Sequence, residues 1–238
     1  MHRLVHIPEC PSTNDEILNL ITSPLKKDEV IALYTLRQTQ GKGQYGNKWT
    51  TQNDKNIAIS FALHPKALSH NDLAIINYYT AVILREFIAN LTDTPPYIKW
   101  PNDLILKHKK ISGILLEQKQ QHLIIGIGIN VLQTDFNQIT TAGSLLTQTH
   151  QKFEPHQLAK DFYHYFANAI LRENSTDKIL ETLNQHLYKR GQVAVFEIDG
   201  VRQNGIIRYA DQDGYLWIFL EDQLKPQAFY HKEVKLLF

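Results

Sequence analysis

Hydrophobic and polar positions follow several different periods along the chain, and each period predicts a different element. Residues 30–36 and 56–63 are short apolar runs, which is the pattern of buried strands. Residues 3–7 form another short run, which Pro8 stops. Over residues 70–91 the spacing changes to that of an amphipathic helix. The apolar positions of this predicted helix are Leu73, Ile76, Tyr79, Ile83 and Phe87.

The middle of the chain carries four apolar runs in quick succession, which predict consecutive strands. The runs are YIKW (97–100), DLILK (103–107), ISGILLEQ (111–118) and HLIIGIGI (122–129). The polar stretch at 119–122 predicts a hairpin connection between the last two. Two further helices are predicted at about 155–172 and 176–189. The buried stripe of the first of these comprises Leu158, Phe162, Phe166 and Ile170.

After Gly191 the pattern changes to short alternating strands separated by Asp-Gly and Asn-Gly turns. This is typical of a small all-β unit. Residues 191–238 make a marginal core by themselves, so we expect this unit to dock on the larger one. The predicted architecture is therefore an α+β domain over residues 1–190, followed by a small β-barrel.

Composition narrows the function classes. The 238 residues are 43% hydrophobic and 21% charged, as in ordinary soluble proteins, and the net charge of +1 gives no strong field toward nucleic acid or membranes. No run approaches the roughly 20 apolar residues of a membrane span, and the N-terminus lacks a signal-peptide pattern. The single Cys10 excludes an intrachain disulfide and a cysteine-based zinc site. We expect a cytoplasmic protein.

Common nucleotide and metal motifs do not fit. A Walker A loop ends in Gly-Lys-Ser/Thr, whereas Gly46 is followed by Asn47-Lys48-Trp49. The stretch GIGIN (126–130) starts like a dinucleotide fingerprint, but Val131 stands at the third glycine position. The histidines do not pair with cysteines at ligand spacing, so we predict no protein metal site.

Four other stretches combine residue types suited to ligand binding, and each also has a plain structural interpretation. They are STN (12–14), QTQGKGQYGNKW (38–49), KWPNDLILKHKKISG (99–113) and GIGIN (126–130). Ser12 or Thr13 is a typical helix N-cap, and the last stretch could simply be a strand with a tight bend. Exposed lysines are common, but Lys110 runs directly into an apolar strand. The long loop closes on Trp49, which a bland surface loop would seldom do.

The order of these motifs resembles that of the biotin protein ligases, also called biotin–[acetyl-CoA-carboxylase] ligases. Lys-Trp-Pro-Asn-Asp, followed by Lys-x-x-Gly, is the most specific part. The resemblance implies a mixed-sheet catalytic domain of the biotin/lipoate ligase type, related to class II aminoacyl-tRNA synthetases, over residues 1–190. It implies an SH3-like β-barrel over residues 191–238.

The resemblance also implies an activity. These enzymes join the biotin carboxylate to ATP as biotinoyl-AMP, with Mg²⁺, and then transfer biotin to a lysine of a biotin carboxyl carrier protein. Because STN begins at residue 12, we expect the monofunctional type without an N-terminal DNA-binding domain. The alternatives are a lipoate–protein ligase, a non-catalytic biotin-binding module and a DNA-binding regulator. Monomer and homodimer both stay open.

Site residues follow from the same resemblance. Lys110 matches the catalytic lysine that lies between carboxylate and phosphate. Biotin-binding positions are Ser12, Thr13, Asn14, Gln38, Lys42, Gly43, Gln44, Lys110 and Gly113. Nucleotide-binding positions are Lys42, Gln44, Asn47, Trp49, Asn102, Asp103, Lys110 and Asn130. The glycine loop 41–46 matches a lid that closes over the adenylate. Many relatives carry Gly-Arg-Gly-Arg-x-Gly-Arg there, whereas this chain has Lys, Gln and Asn in place of the arginines and so loses bidentate phosphate contacts.

Overall fold

Two β-sheets, five α-helices and three short 3-10 helices make up the regular structure within residues 2–70, 72–137 and 139–237, which the computed structural model describes. The strands of the first sheet are β1 (His2–His6), β2 (Val30–Thr35), β3 (Asn56–Leu63), β4 (Tyr97–Lys99), β5 (Asp103–Leu106), β6 (Lys109–Lys119) and β7 (His122–Asn130). The helices are α1 (Thr13–Glu16), α2 (Leu73–Ala89), α3 (Leu145–Thr149), α4 (Pro155–Ile170) and α5 (Thr176–Gln185). The second sheet comprises β8 (Val193–Ile198), β9 (Val201–Ala210), β10 (Leu216–Leu220), β11 (Gln227–Phe229) and β12 (Lys235–Leu237).

The first sheet is mixed, in the order β1-β2-β3-β7-β6-β5-β4, with only β1 and β2 parallel. The predicted α+β class is therefore confirmed. The second sheet is antiparallel, in the order β11-β10-β9-β8-β12. Within the described residues no pairing joins β11 to β12, so this five-stranded sheet does not close into the expected barrel, and its identification as an SH3-like domain stays a prediction.

Helix ends differ from the sequence prediction for local reasons. The helix expected at 70–91 begins after Asp72, whose carboxylate accepts a hydrogen bond from the Ala74 amide at 2.7 Å. Asn71 lies outside the described residues. Leu73, expected on the apolar stripe, is instead 48% exposed at the first position of this helix.

The helix expected at 176–189 ends at Gln185. The following backbone pairs with β4, through bonds from Ile98 N to His186 O and from Tyr188 N to Ile98 O, both 2.8 Å. The short helix α3 was not predicted, because its five residues are too few to establish a period.

The two faces of the first sheet are covered differently. On one face Phe61 packs against Phe162 and Phe166 of α4, and α2 joins the same apolar core. On the other face Ile17, just after α1, packs with Leu33 to form a smaller cluster. This second cover extends over only part of the face, which leaves the ends of β3, β5, β6 and β7 accessible. The candidate site lies there.

The second sheet packs directly on the first unit, as expected from its small core. Phe196 and Ile218 are fully buried and belong to the main apolar core. Asn184 of α5 exchanges two hydrogen bonds with the backbone of Ala210, at 2.9 and 2.7 Å. The division at residue 190 stays a prediction. Among the described residues no helix is long and apolar enough to cross a membrane.

Candidate active site

Two rows of mostly small residues form the floor of the site. Cross-strand pairing builds the first row from Ala58, Gly128, Gly113 and Asp103. It builds the second row from Ser60, Gly126 and Leu115. Residues two apart on a strand share a face, so both rows lie on the same face of the sheet. The glycines leave that face without side chains.

The floor glycines are needed because other side chains occupy the space above them. A Cβ atom on Gly126 would overlap the Asn14 carboxamide, and one on Gly128 would overlap the Trp49 indole. Gly113 also has the Trp49 ring and the Lys110 side chain above it. Backbone and functional side chains can therefore approach each other closely.

A β-bulge sets the direction of Lys110. Leu104 pairs with Ser112, but its neighbour Ile105 pairs with Lys110, so Ile111 is an extra residue on β6. A bulge turns the side chains on one side of it to the opposite face. Lys110 therefore shares a face with Asp103, which ordinary alternation from Gly113 would not allow.

The backbone beside the bulge is paired by a loop outside the sheet. The Lys110 amide donates to Thr141 O at 2.7 Å, and the Gly143 amide donates to Lys110 O at 2.9 Å. Asn130 in turn donates to Gly143 O at 2.9 Å, and its side chain is buried. Asn130 thus supports the loop that holds Lys110.

Asp103 lies between two lysines. Its Oδ1 is 2.6 Å from Lys110 Nζ, and its Oδ2 is 3.9 Å from Lys99 Nζ. Burial lowers the pKa of Lys99, against the opposing charge of Asp103, and the charge of Lys110 lowers it further. Two cations and one carboxylate leave local positive charge, which suits an anionic ligand.

A second polar group lies at the start of α1. Gln38 Oε1 accepts from the Thr13 amide at 2.9 Å and lies 3.2 Å from the Thr13 hydroxyl. Ser60 Oγ is 2.7 Å from Thr13 Oγ1 and donates to Asn14 Oδ1 at 2.5 Å. Asn14 Nδ2 donates to Glu117 at 2.7 Å. These connected hydroxyls and amides can both donate to and accept from a ligand.

An ion-pair cluster links α1 to the glycine loop. Asp15 Oδ2 is 2.5 Å from Lys42 Nζ, and Asp15 Oδ1 is 2.6 Å from Lys119 Nζ. Burial alone would raise the pKa of the Asp15 carboxyl, but hydrogen bonds from Lys119 and Lys42 hold it below its ordinary value. Lys42 is therefore engaged at the end of the site that contains Thr13 and Gln38.

The glycine loop is a small hairpin. Trp49 N donates to Gly41 O at 2.9 Å, and Gly43 N donates to Asn47 O at 2.7 Å. Its tip is a tight turn at Gln44–Gly46, where Tyr45 has a left-handed φ of 56°. At the base of the hairpin, the Trp49 ring lies over Gly128, with Lys110 Nζ 5.5 Å from the centroid. This leaves an aromatic surface beside the lysine.

Most of these groups, although not Asp15, Ser60, Glu117 or Lys119, line one cavity of about 250 Å³. Apart from Asn130, it includes every residue assigned to biotin or nucleotide from the sequence: Ser12, Thr13, Asn14, Gln38, Lys42, Gly43, Gln44, Asn47, Trp49, Asn102, Asp103, Lys110 and Gly113. Asn102 also anchors the floor, since its Nδ2 donates to Ile114 O at 2.7 Å. The structure brings the motifs together, and the role of each residue stays a prediction.

Sequence reasoning missed several residues of the site. Ser60 is the one hydroxyl in an otherwise apolar run, and that exception was a usable signal. Glu117 and the floor role of Gly126 depend on strand register, which the sequence does not state. His231 lines the same cavity from the second sheet, and only the docking of the two units could reveal it.

The number of carboxylates in the site decides whether the protein alone could bind a metal ion. Asp103 is the one acidic residue among the described residues that line the cavity, and the described part of the chain contains no cluster of three or more potential metal ligands. A single carboxylate suits Mg²⁺ only when substrate phosphates and waters supply the other ligands. The residues therefore fit a metal that arrives with a nucleotide.

Solved structures share this fold over nearly the whole chain. Biotin protein ligase from Aquifex aeolicus, in complex with biotin and ATP, has a TM-score of 0.82 and 24% identity, over 99% of this chain and 98% of that one. Biotin protein ligase from Leishmania major, in complex with biotin, has a TM-score of 0.70 and 19% identity, over 95% and 97%. At these identities the similarity shows the fold.

Sequence similarity to curated proteins covers a shorter region. The Biotin--[acetyl-CoA-carboxylase] ligase of Mycobacterium tuberculosis is 28% identical over 143 residues, 59% of this chain and 53% of that protein. The Bifunctional ligase/repressor BirA of Escherichia coli is 30% identical over 132 residues, and the match covers 39% of its length. The chain thus spans about half or less of these relatives. The model of the biotin/lipoate A/B protein ligase family matches residues 7–130, and the chain belongs to that family.

Proposed function

We propose that this chain is a biotin–protein ligase. It would activate biotin with ATP as biotinoyl-AMP and transfer the biotinyl group to a lysine of a biotin carboxyl carrier protein or domain. The observation that carries the proposal is the position of Lys110. Its ammonium group lies 5.5 Å from the centroid of the Trp49 ring, in the cavity that Thr13 and Gln38 also line.

The pocket at α1 suits the ureido ring of biotin. That ring offers two N–H donors and one carbonyl acceptor. The side-chain oxygens of Gln38 and Asn14 can accept, while the hydroxyls of Ser12 and Thr13 can donate. The backbone of the glycine floor and the side chain of Leu115 would contact the apolar part of the ligand.

In the first step a carboxylate oxygen of biotin attacks the α-phosphorus of ATP. A P–O bond forms to biotin, the bond to the β-phosphate bridge breaks, and pyrophosphate leaves with the electron pair. Both reactants are anionic, so positioned positive charge is the main requirement. Lys110 supplies it, and Asp103 keeps its ammonium group directed into the cavity. Mg²⁺ would enter with the phosphates, with Asp103 as the protein carboxylate in reach, and would supply further charge neutralisation.

In the second step an uncharged lysine amine of the carrier attacks the activated carbonyl carbon. An amide forms, the bond to the phosphate oxygen breaks, and AMP leaves. The mixed anhydride also reacts with water, so the glycine loop would act as a lid that excludes it. The free, buried Cys10 is consistent with a reducing compartment, and we propose the cytoplasm.

Supplying ATP with biotin or lipoate, and measuring ATP–pyrophosphate exchange, tests the proposal. We expect ATP–pyrophosphate exchange with biotin but not with lipoate, because lipoate lacks the ureido donors and acceptor. Biotin transfer to a purified carrier domain should follow. Exchange with lipoate alone would establish the lipoate ligase alternative, and biotin binding without any exchange would identify a non-catalytic module.

A further inference from the structure

The tip of the glycine loop contacts the second sheet. The rings of Tyr45 and His231 are stacked, with centroids 4.6 Å apart and planes at 14°. Lys232 Nζ lies 4.3 Å from the centroid of the same tyrosine ring. Two consecutive residues of the turn between β11 and β12 therefore hold the aromatic ring at the tip of the loop.

Both sides of this contact are built on constrained backbone. Tyr45 and Lys232 have left-handed φ values of 56° and 79°, which are uncommon outside glycine. The turn that presents His231 is closed by hydrogen bonds from Tyr230 N to Glu233 Oε2 at 2.6 Å and from Glu233 N to Tyr230 O at 3.1 Å. The second sheet thus offers a fixed surface to the loop.

His231 also belongs to the wall of the cavity. It lines the space together with Lys99, Asp103 and Lys110, and its ring lies 5.8 Å from that of Trp100. Burial lowers its pKa, as does the charge of Lys99, against the opposing charge of Asp103. The imidazole is therefore neutral at neutral pH and stacks on Tyr45 as an uncharged ring.

We propose that His231 is a positioning residue that holds the glycine loop closed through Tyr45 and so retains the activated acyl-adenylate. The proposal rests on the proposed function and adds a task for the second sheet, namely to latch the lid. The latch is the pair Tyr45 and His231, with Lys232 as a support. Because Tyr45 as a whole residue is 55% exposed, the loop tip is free to move away from this contact.

Three variants separate stacking from other effects. His231→Ala removes the ring, and His231→Phe keeps an aromatic surface without the imidazole nitrogens. Tyr45→Asn removes the partner ring while keeping a residue that tolerates the left-handed conformation. Tyr209→Ala is the matched control, because Tyr209 stacks on Trp217 elsewhere in the same sheet at 5.6 Å. Aromatic pairs of this kind correspond to effects of about 3- to 10-fold.

The first readout is escape of biotinoyl-AMP, followed as biotinylation of an added bystander protein. We expect escape to rise about 3- to 10-fold in His231→Ala and Tyr45→Asn, to return toward wild type in His231→Phe, and to stay unchanged in Tyr209→Ala. The double variant Tyr45→Asn/His231→Ala should be no leakier than either single variant, since both break one contact.

The second readout does not need catalysis. Trypsin can cut the loop at Lys42 and Lys48, and cutting should be faster by a similar factor when the latch is broken. Unchanged cutting and escape in both His231→Ala and Tyr45→Asn would overturn the proposal, as would a His231→Phe variant that behaves like His231→Ala. Tyr45 is on an exposed loop, so Tyr45→Asn remains informative if His231→Ala does not fold. If the wild type makes no biotinoyl-AMP, the proposed function fails, whereas the trypsin comparison still tests the latch.

Discussion

Lys110 Nζ and Asp103 Oδ1 lie 2.6 Å apart, from adjacent strands of one sheet, with the Asp103 side chain only 13% exposed. If Lys110 neutralises charge as the biotin carboxylate attacks phosphorus, Lys110→Ala should slow adenylation by on the order of 10²-fold or more. Biotin affinity should fall much less. ATP–pyrophosphate exchange and calorimetric biotin binding measure the two effects.

Lys160→Ala is the control for loss of a lysine, because this residue is exposed on α4 outside the cavity. It should leave both measurements unchanged. Exchange at a near wild-type rate in Lys110→Ala would show that this lysine does not carry the first step.

Gly126 tests whether the floor must be free of side chains. Gly126→Ala would place a methyl group against the Asn14 carboxamide, and we expect the free energy of unfolding to fall by about 1–3 kcal/mol. Adding Asn14→Ala should restore part of that loss, since it vacates the space. Urea unfolding of both single variants and the double variant provides the measurement. Strictly additive losses would mean that the two residues do not compete for space.

Substitutions of Lys42 and Gln44 test which side chain of the glycine loop retains the adenylate, since this loop lacks the arginines of many relatives. The ion pair between Lys42 and Asp15, at 2.5 Å, ties the loop to α1, whereas Gln44 offers only a neutral amide. We expect Lys42→Ala to leak more biotinoyl-AMP than Gln44→Ala, and Gln44→Arg to leak less than wild type. Bystander biotinylation reports the leak. Should Gln44→Ala leak more than Lys42→Ala, the amide rather than the charge retains the intermediate.

The burial of His122 leads to a prediction of how the free energy of unfolding depends on pH. It is 6% exposed, neither ring nitrogen has a partner among the described residues, and burial together with His64 lowers its pKa. Below about pH 6.5 the unfolded chain therefore binds a proton more readily than the folded one, so stability should fall as the pH drops from about 6.5 until it passes the lowered folded pKa. In His122→Phe the free energy of unfolding should fall less as the pH drops. His164→Gln, at an exposed position, should behave like wild type. Urea unfolding between pH 5 and 8 makes the comparison. Equal acid slopes in His122→Phe and wild type would exclude this histidine as a source.

Local patterns predicted most of the elements, because strands and long helices each give the apolar residues a characteristic spacing along the sequence. The stripe from Leu158 to Ile170 and the run of Asn56–Leu63 are examples. The end of α5 was missed because pairing of Tyr188 with Ile98, far away in sequence, decides it. Motif order predicted which residues gather in the cavity. Partners such as Ser60 and His231 depend on register and on docking, which no local pattern contains.

The extra residue at Ile111 has a consequence for the length of β6. The direction of Lys110 depends on the number of residues that separate it from Gly113, not only on their identity. Straightening the bulge without removing a residue would turn the lysine toward the apolar side, where Leu104 and Leu106 are fully buried. A charge there would be costly without a partner. Deleting Ile111 would instead give regular alternation with Lys110 still on the face of Asp103, so the strand needs the bulge for as long as it keeps this residue.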